Sequence, residues 1–114
     1  MILCDSGDIV VVPFPFVDSP NAKRRPALVL SGQSFNKEHD HVLLAMITTG
    51  GKKSWKSDIP ISNLGAAGIP APSVVRMKIF TLDSRLILNK IGRLCREDVQ
   101  KTKKVLKNQV LRWS

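Results

Sequence analysis

Two apolar runs decide the reading of this chain: Gly7-Asp8-Ile9-Val10-Val11-Val12-Pro13-Phe14-Pro15-Phe16 and Arg24-Arg25-Pro26-Ala27-Leu28-Val29-Leu30-Ser31. Residues 9–12 are a continuous β-branched run, the pattern of a buried strand. Residues 27–31 form the second strand. Pro13 and Pro15 cannot donate to a ladder, so the continuation toward Phe16 is expected at an edge or a bulge. Residues 17–23 read as a loop, with Ser19, Pro20 and Asn21 as turn formers. The loop ends in consecutive arginines, which places a fixed cation at the mouth of a small β fold.

Outward from there, residues 42–48 (Val-Leu-Leu-Ala-Met-Ile-Thr) read as a third strand, and the polar stretch 32–41 before them as a surface excursion. Thr49-Gly50-Gly51-Lys52-Lys53-Ser54-Trp55-Lys56 reads as a flexible basic loop bearing one aromatic, with residues 57–61 returning as a strand. Residues 65–72 hold two Gly and two Pro and are expected to form no regular element. Residues 73–77 and 80–82 read as strand fragments, and 87–91 as a short last strand. From Arg96 the period changes. Val99, Thr102, Leu106 and Val110 recur at helical spacing, which predicts a terminal helix of about four turns. Glu97 and Asp98 in its first turn and Lys103, Lys104 and Lys107 further along suit the helix dipole. Cys95 falls at the N-cap, where its thiol is a poor acceptor. The expectation is a mainly β fold, one domain over residues 1–114, with five or six short strands around a C-terminal helix in a small, partly open barrel.

The chain has 114 residues, 43% of them apolar and 24% charged, which suits one globular domain. Eighteen Lys and Arg against nine Asp and Glu give a net charge of +9, most simply explained by a polyanionic partner. Residues 1–51 carry four basic and five acidic side chains, whereas residues 52–114 carry fourteen and four. The second half would therefore guide an anionic polymer toward chemistry held in the first. No apolar stretch approaches the roughly 20 residues that span a bilayer. The first five residues have no basic region or hydrophobic segment of a signal peptide, so a cytoplasmic location is expected. Cys4 and Cys95 have no metal-ligand spacing and read as reduced thiols.

Three groups of residues have the chemistry for a site. Arg25, held extended by Pro26, presents a donor fork that matches two phosphate oxygens, with Lys23 and Arg24 adding field. Thr48 ends an apolar strand, so its hydroxyl emerges where buried sheet meets solvent. Lys52, Lys53, Trp55 and Lys56 interleave cations with a ring that can stack on a base. Each also has a plain structural reading: a solvated arginine, a strand-end threonine chosen for packing, a solvated hairpin tip. His39 and His41 alternate on one segment without a third ligand, so no metal and no cofactor is assigned.

Taken in order, Gly7-Asp8-Ile9-Val10, Arg25-Pro26-Ala27-Leu28-Val29-Leu30-Ser31, Ala45-Met46-Ile47-Thr48, Ser73-Val74-Val75-Arg76 with Phe80-Thr81-Leu82-Asp83, and Ile91-Gly92-Arg93-Leu94 resemble the MazF/PemK family. These are toxins of type II toxin–antitoxin pairs. The resemblance implies an SH3-like barrel of five to seven short strands with a C-terminal helix, a homodimer, and metal-independent, sequence-selective cleavage of single-stranded RNA. It also implies a cognate antitoxin, a short acidic protein. Arg25 and Thr48 correspond to the family's catalytic arginine and threonine, and Arg76 and Lys78 join the expected RNA-binding set. The products would be a 2′,3′-cyclic phosphate and a 5′-hydroxyl. Where relatives often carry Ser-Glu-Gln before the arginine, this chain has Ser19-Pro20-Asn21, so a glutamate base cannot be transferred and Asp18 is the candidate substitute. Many relatives carry Gln-Ile-Arg where this chain has Lys78-Ile79-Phe80. Two other readings stand beside this one. Trp113 near the end of the chain is similar to the terminal tryptophan of gyrase-poisoning toxins on a related barrel, and the basic half alone would serve a non-catalytic RNA-binding module.

Overall fold

Among the described residues six strands form one antiparallel sheet: β1 (Asp8–Phe14), β2 (Lys23–Val29), β3 (His41–Thr48), β4 (Ile59–Pro60), β5 (Val74–Asp83) and β6 (Asn89–Arg93). Their order is β4-β5-β3-β2-β1-β6, seen in a computed structural model that describes residues 2–15, 21–49 and 53–113. Among the described residues three α-helices accompany them: α1 (Gln33–His39), α2 (Leu64–Ala67) and α3 (Arg96–Val105). A wider helical turn, Leu106–Val110, extends α3 to the expected length. The fold is mainly β with a C-terminal helix.

The pleat sorts the strands' apolar residues into two cores, one on each face. Ile9, Leu28, Ala45, Ile47 and Val75 lie on the first, packed with Ile59, Ile61, Ala67, Ile69 and Leu94 and covered by Val99 and Val105 of α3. Val10, Val12, Ala27, Val29, Val42 and Leu44 lie on the second, packed with Cys4, Leu82 and Ile87. This two-sided burial explains why strands 1 to 3 read as continuous apolar runs rather than alternating ones.

The edges of the sheet are joined by packing rather than by a ladder. α2 follows β4 and lies directly on β6, backbone against backbone. A Cβ on Gly92 of β6 would stand 2.4 Å from the Ala66 carbonyl oxygen. Gly68, which ends α2 with φ of 72°, has Ile91 equally close. The start of α3 is tied back to the same region. Asp98, fully buried, accepts from the Ser62 N–H at 2.8 Å and from its hydroxyl at 2.9 Å. Cys95 is the N-cap residue as expected and its thiol makes no capping bond to the helix. Between β1 and β6, buried Asp8 pairs with Lys90 and Arg93.

Several elements differ from the sequence reading. β2 starts at Lys23, so the arginines lie in the strand rather than in the loop, because β1 runs to Phe14 and pairs with them: Val12 faces Arg25 and Pro13 faces Arg24. β6 pairs β1 only as far as Val11, so Pro13 lies where that side of β1 is free, as its missing donor requires. The excursion 32–41 contains helix α1. Its polar sequence is held by a buried side chain, Asn36, whose amide donates to the Cys4 and Ser31 carbonyls at 3.0 and 3.1 Å. The stretch 65–72 does contain a helical turn, capped by the Asn63 side chain accepting from the Ala66 N–H. The two fragments after Pro72 are one strand, β5, interrupted by a bulge: Ala45 pairs with Ile79 and Met46 with Arg76, leaving Met77 and Lys78 unpaired. The return strand shrinks to Ile59–Pro60. The last strand begins at Asn89, after a tight turn at Ser84–Leu86 that sends Ile87 into the core.

Two outcomes follow for stability. Gly92→Ala will lower the thermal midpoint, because the added methyl meets backbone that cannot swing aside, at a cost on the order of 1–3 kcal/mol or more. An unchanged melting curve would contradict the backbone contact. Burial alone would raise the Asp98 carboxyl, but the Ser62 N–H and hydroxyl, Cys95 and Lys101 together hold it below its ordinary value. Its contribution is therefore complete above the ordinary carboxylate range and is lost as pH falls through the lowered folded value. Urea unfolding of wild type and Asp98→Asn across acid pH should converge at the lowest pH, while a constant gap would contradict the linkage.

Candidate functional site

On the second face of the sheet the apolar core gives out toward one end. Val12 is followed two residues on by Phe14, Leu44 by Met46 and Thr48, and Ala27 is preceded by Arg25. These positions keep the same side of the pleat because side chains alternate with a period of two. Ala27 faces Met46 across β2 and β3, and two residues further along each strand stand Arg25 and Thr48. Phe14, Arg25, Met46, Ile47, Thr48, Arg76 and Lys78 line one groove of about 220 Å³. Residues far apart in sequence are thus brought together by register alone.

The cations in this groove differ in their freedom. Arg25 lies over the Phe14 ring with 5.2 Å to its centroid, and among the described residues no carboxylate pairs with it. The cation–π contact orients the guanidinium and leaves its donors for an anion. Lys78 also has no carboxylate partner among the described residues, and the β5 bulge supplies the extra residues that carry it. Bulges commonly re-aim side chains beside functional sites. Arg76, in contrast, is committed. Its Nε donates to Asp58 at 3.1 Å, and its Nη2 donates to Asp58 at 2.9 Å and to the Lys53 carbonyl at 2.8 Å. That bidentate pairing holds the Asp58 carboxyl below its ordinary range and raises Arg76 above its own.

Asp58 also closes a turn. It accepts from the Trp55 N–H at 2.8 Å, and its own N–H donates to the Trp55 carbonyl at 3.0 Å. The described part of the basic loop is therefore an ordered turn. Its indole lies 5.3 Å from the Arg76 guanidinium and 5.9 Å from the Lys78 ammonium.

The expected residues distribute as follows. Arg25, Thr48, Arg76 and Lys78 meet in the groove, with Trp55 against its Arg76 and Lys78 end. Lys23 shares the face of Arg25, whereas Arg24 alternates to the opposite face. Lys53 contributes its carbonyl to Arg76, and Lys56 is exposed within the turn. Asp18 and Lys52 lie outside the described residues. Sequence reasoning missed Phe14, Met46 and Asp58. The spacing Trp55-Lys56-Ser57-Asp58 was the available signal for the last, since an Asp three residues on can close a turn onto the backbone. His39 lies tilted against Phe35 with 4.7 Å between centroids, and His41 meets the His39 carbonyl at 2.9 Å. Among the described residues no three His, Cys, Asp or Glu side chains cluster as metal ligands, and no helix is long and apolar enough to cross a membrane.

Larger depressions exist, including one of about 390 Å³ between the N-terminal turn, β2 and α3. The groove at Arg25 is distinguished by two cations, Arg25 and Lys78, that no described carboxylate pairs, rather than by size.

The crystal structure of MazF (Form-I) from Deinococcus radiodurans superposes with a TM-score of 0.72 and 21% identity, over 93% of this chain and 94% of that one. The MazE–MazF structure (Form-II) from the same organism gives 0.74 and 20% over the whole of both chains. An endoribonuclease from a mycobacterial species gives 0.74 and 16%, over 100% of this chain and 98% of that one. At these identities the likeness is one of fold. No curated protein matches the chain. The sequence itself is matched over residues 5–110 by the PemK-like, MazF-like toxins of type II toxin–antitoxin systems, and the chain belongs to that family.

Proposed function

We propose that this toxin is an endoribonuclease that cuts single-stranded RNA, selectively by sequence, without a metal. The observation that carries the reading is the juxtaposition of Arg25 and Thr48 on one pleated face, with Arg25 unpaired by any described carboxylate. RNA supplies its own nucleophile. The 2′-hydroxyl loses its proton and forms a bond to the adjacent phosphorus, the bond from phosphorus to the 5′ oxygen breaks, and that oxygen leaves protonated. The products are a 2′,3′-cyclic phosphate and a 5′-hydroxyl, and no water is consumed. Charge builds on the equatorial oxygens of the phosphorane, where a preset guanidinium gains more than it does with the ground state. Thr48 holds a non-bridging oxygen and keeps the attack in line. Asp18 is the candidate for the proton acceptor, since Asp58, the nearest carboxylate among the described groups of the site, is engaged by Arg76 and Trp55.

Lys23, Lys53, Lys56 and Lys78 add field along the strand's path, as would Lys52, and residues 52–114, with fourteen basic against four acidic side chains, suit a short acidic antitoxin as well as RNA. The MazE–MazF complex of Deinococcus radiodurans supports that partner. A homodimer in the cytoplasm completes the proposal. The exposed Leu3, Phe35, Leu88 and Leu111 provide apolar surface for self-association.

Purified protein should cut single-stranded RNA in excess EDTA and leave the matching DNA bound but intact. Arg25→Ala should lower the cleavage rate by about 10²–10³-fold or more, as for loss of one transition-state donor, with an unchanged melting curve. Thr48→Val, which keeps the shape and removes the hydroxyl, should also slow cleavage and leave RNA affinity nearly intact. Cleavage by Arg25→Ala at the wild-type rate, or RNA binding without any cleavage by wild type, would overturn the assignment. The second result would mark a binding module.

A further inference from the structure

We infer that Trp55 is a stacking subsite for one base of the single-stranded RNA, and that Asp58 is the residue that positions it; the inference rests on the groove being an RNA-binding surface. The indole retains 40% of its exposure although it stands beside two cations. An aromatic ring in water at the rim of a cationic groove is suited to a base whose phosphate lies in that groove.

The turn that carries the ring is held by one carboxylate. The Asp58 side chain is only 8% exposed and joins both parts of the platform: it accepts from the Trp55 backbone N–H and from two nitrogens of Arg76. Arg76 then faces the indole and binds the Lys53 carbonyl on the far side of the same turn. With Nε and Nη2 used inside the turn, Arg76 acts as a brace. Phosphate contact falls to Arg25 and Lys78. A ring fixed in this way loses little freedom when a base arrives, so more of the stacking free energy appears as affinity.

Electrostatics alone predicts the opposite sign for Asp58. Its removal adds positive charge to a basic surface and frees Arg76, so a surface that bound RNA by charge only would bind more tightly. A positioning role predicts weaker binding.

The sequence contains two tryptophans, so the full chain carrying Trp113→Phe reports on Trp55 alone. The probe is a single-stranded deoxyribonucleotide of mixed sequence, which lacks the 2′-hydroxyl and is not cut, alongside an oligomer of the same length made of abasic sites. The mixed oligomer should quench Trp55 emission saturably, and the abasic one should bind through its phosphates with little quenching. In the protein with Trp113 intact, Trp55→Ala should weaken binding of the mixed oligomer about tenfold, within the range for one base on one ring. The slope of affinity against salt should stay unchanged, because no phosphate contact is lost. Asp58→Asn should weaken binding in the same direction. Tighter binding by Asp58→Asn, equal quenching by both oligomers, or wild-type affinity in Trp55→Ala would overturn the inference. If Asp58→Asn fails to fold, the exposed Trp55→Ala and the abasic oligomer still decide it. Quenching without any RNA cleavage would refute the nuclease and keep the subsite; cleavage with no role for Trp55 would do the reverse.

Discussion

The register of β2 between β1 and β3 is the constraint on which the site depends. One face of these strands buries Val10, Val12, Ala27, Val29, Val42 and Leu44 at one end. The same face, two residues further along each strand, presents Phe14, Arg25, Met46 and Thr48. A slip of one residue would exchange the side chains packed in the two cores and turn Arg25 to the other side, so the fit of both cores opposes any displacement of the guanidinium. The opposite face is equally committed, since Ile9, Leu28, Ala45 and Ile47 pack beneath α3. A sheet buried on both faces leaves little room for the site's strands to move independently.

The same economy governs the charges. Net charge alone predicts cations presented uniformly to solvent. Instead, Arg76, Arg85 and Arg93 are each paired with an aspartate. Arg25 is paired with a ring. An arginine on an aspartate contributes to structure and presents a nearly neutral surface, whereas one on an aromatic face keeps its charge available. The difference between those two environments separates Arg25, the cation proposed to bind, from the paired arginines, and net charge alone cannot make that distinction.

Some of this was legible in the residues. The β-branched runs, the prolines and the change of period at Arg96 all act locally, through backbone dihedrals, missing donors and side-chain spacing. Mainly β architecture and the C-terminal helix could therefore be read directly, as could an arginine before a proline and a threonine closing an apolar strand. Helix α1 was hidden because its polar sequence is stabilised by Asn36 reaching the carbonyl of Cys4, a partner thirty-two residues away. The β5 bulge was hidden because it answers a mismatch with β3 rather than any turn residue of its own. The true start of β2 depended on how far β1 extends.

The sequence by itself determined which residues could form strands, where the chain must turn, that the second half is strongly basic, and that an arginine precedes a proline at the head of a strand. Those follow from covalent geometry and from each side chain's own chemistry. Tertiary structure alone decided that Arg25 and Thr48 line one groove, that Arg24 does not join them, and that Arg76 belongs to Asp58 and Trp55 before it belongs to any ligand. Each of those outcomes requires two strands or a strand and a turn to meet, and the free energy that selects the meeting comes from burying the core of the sheet.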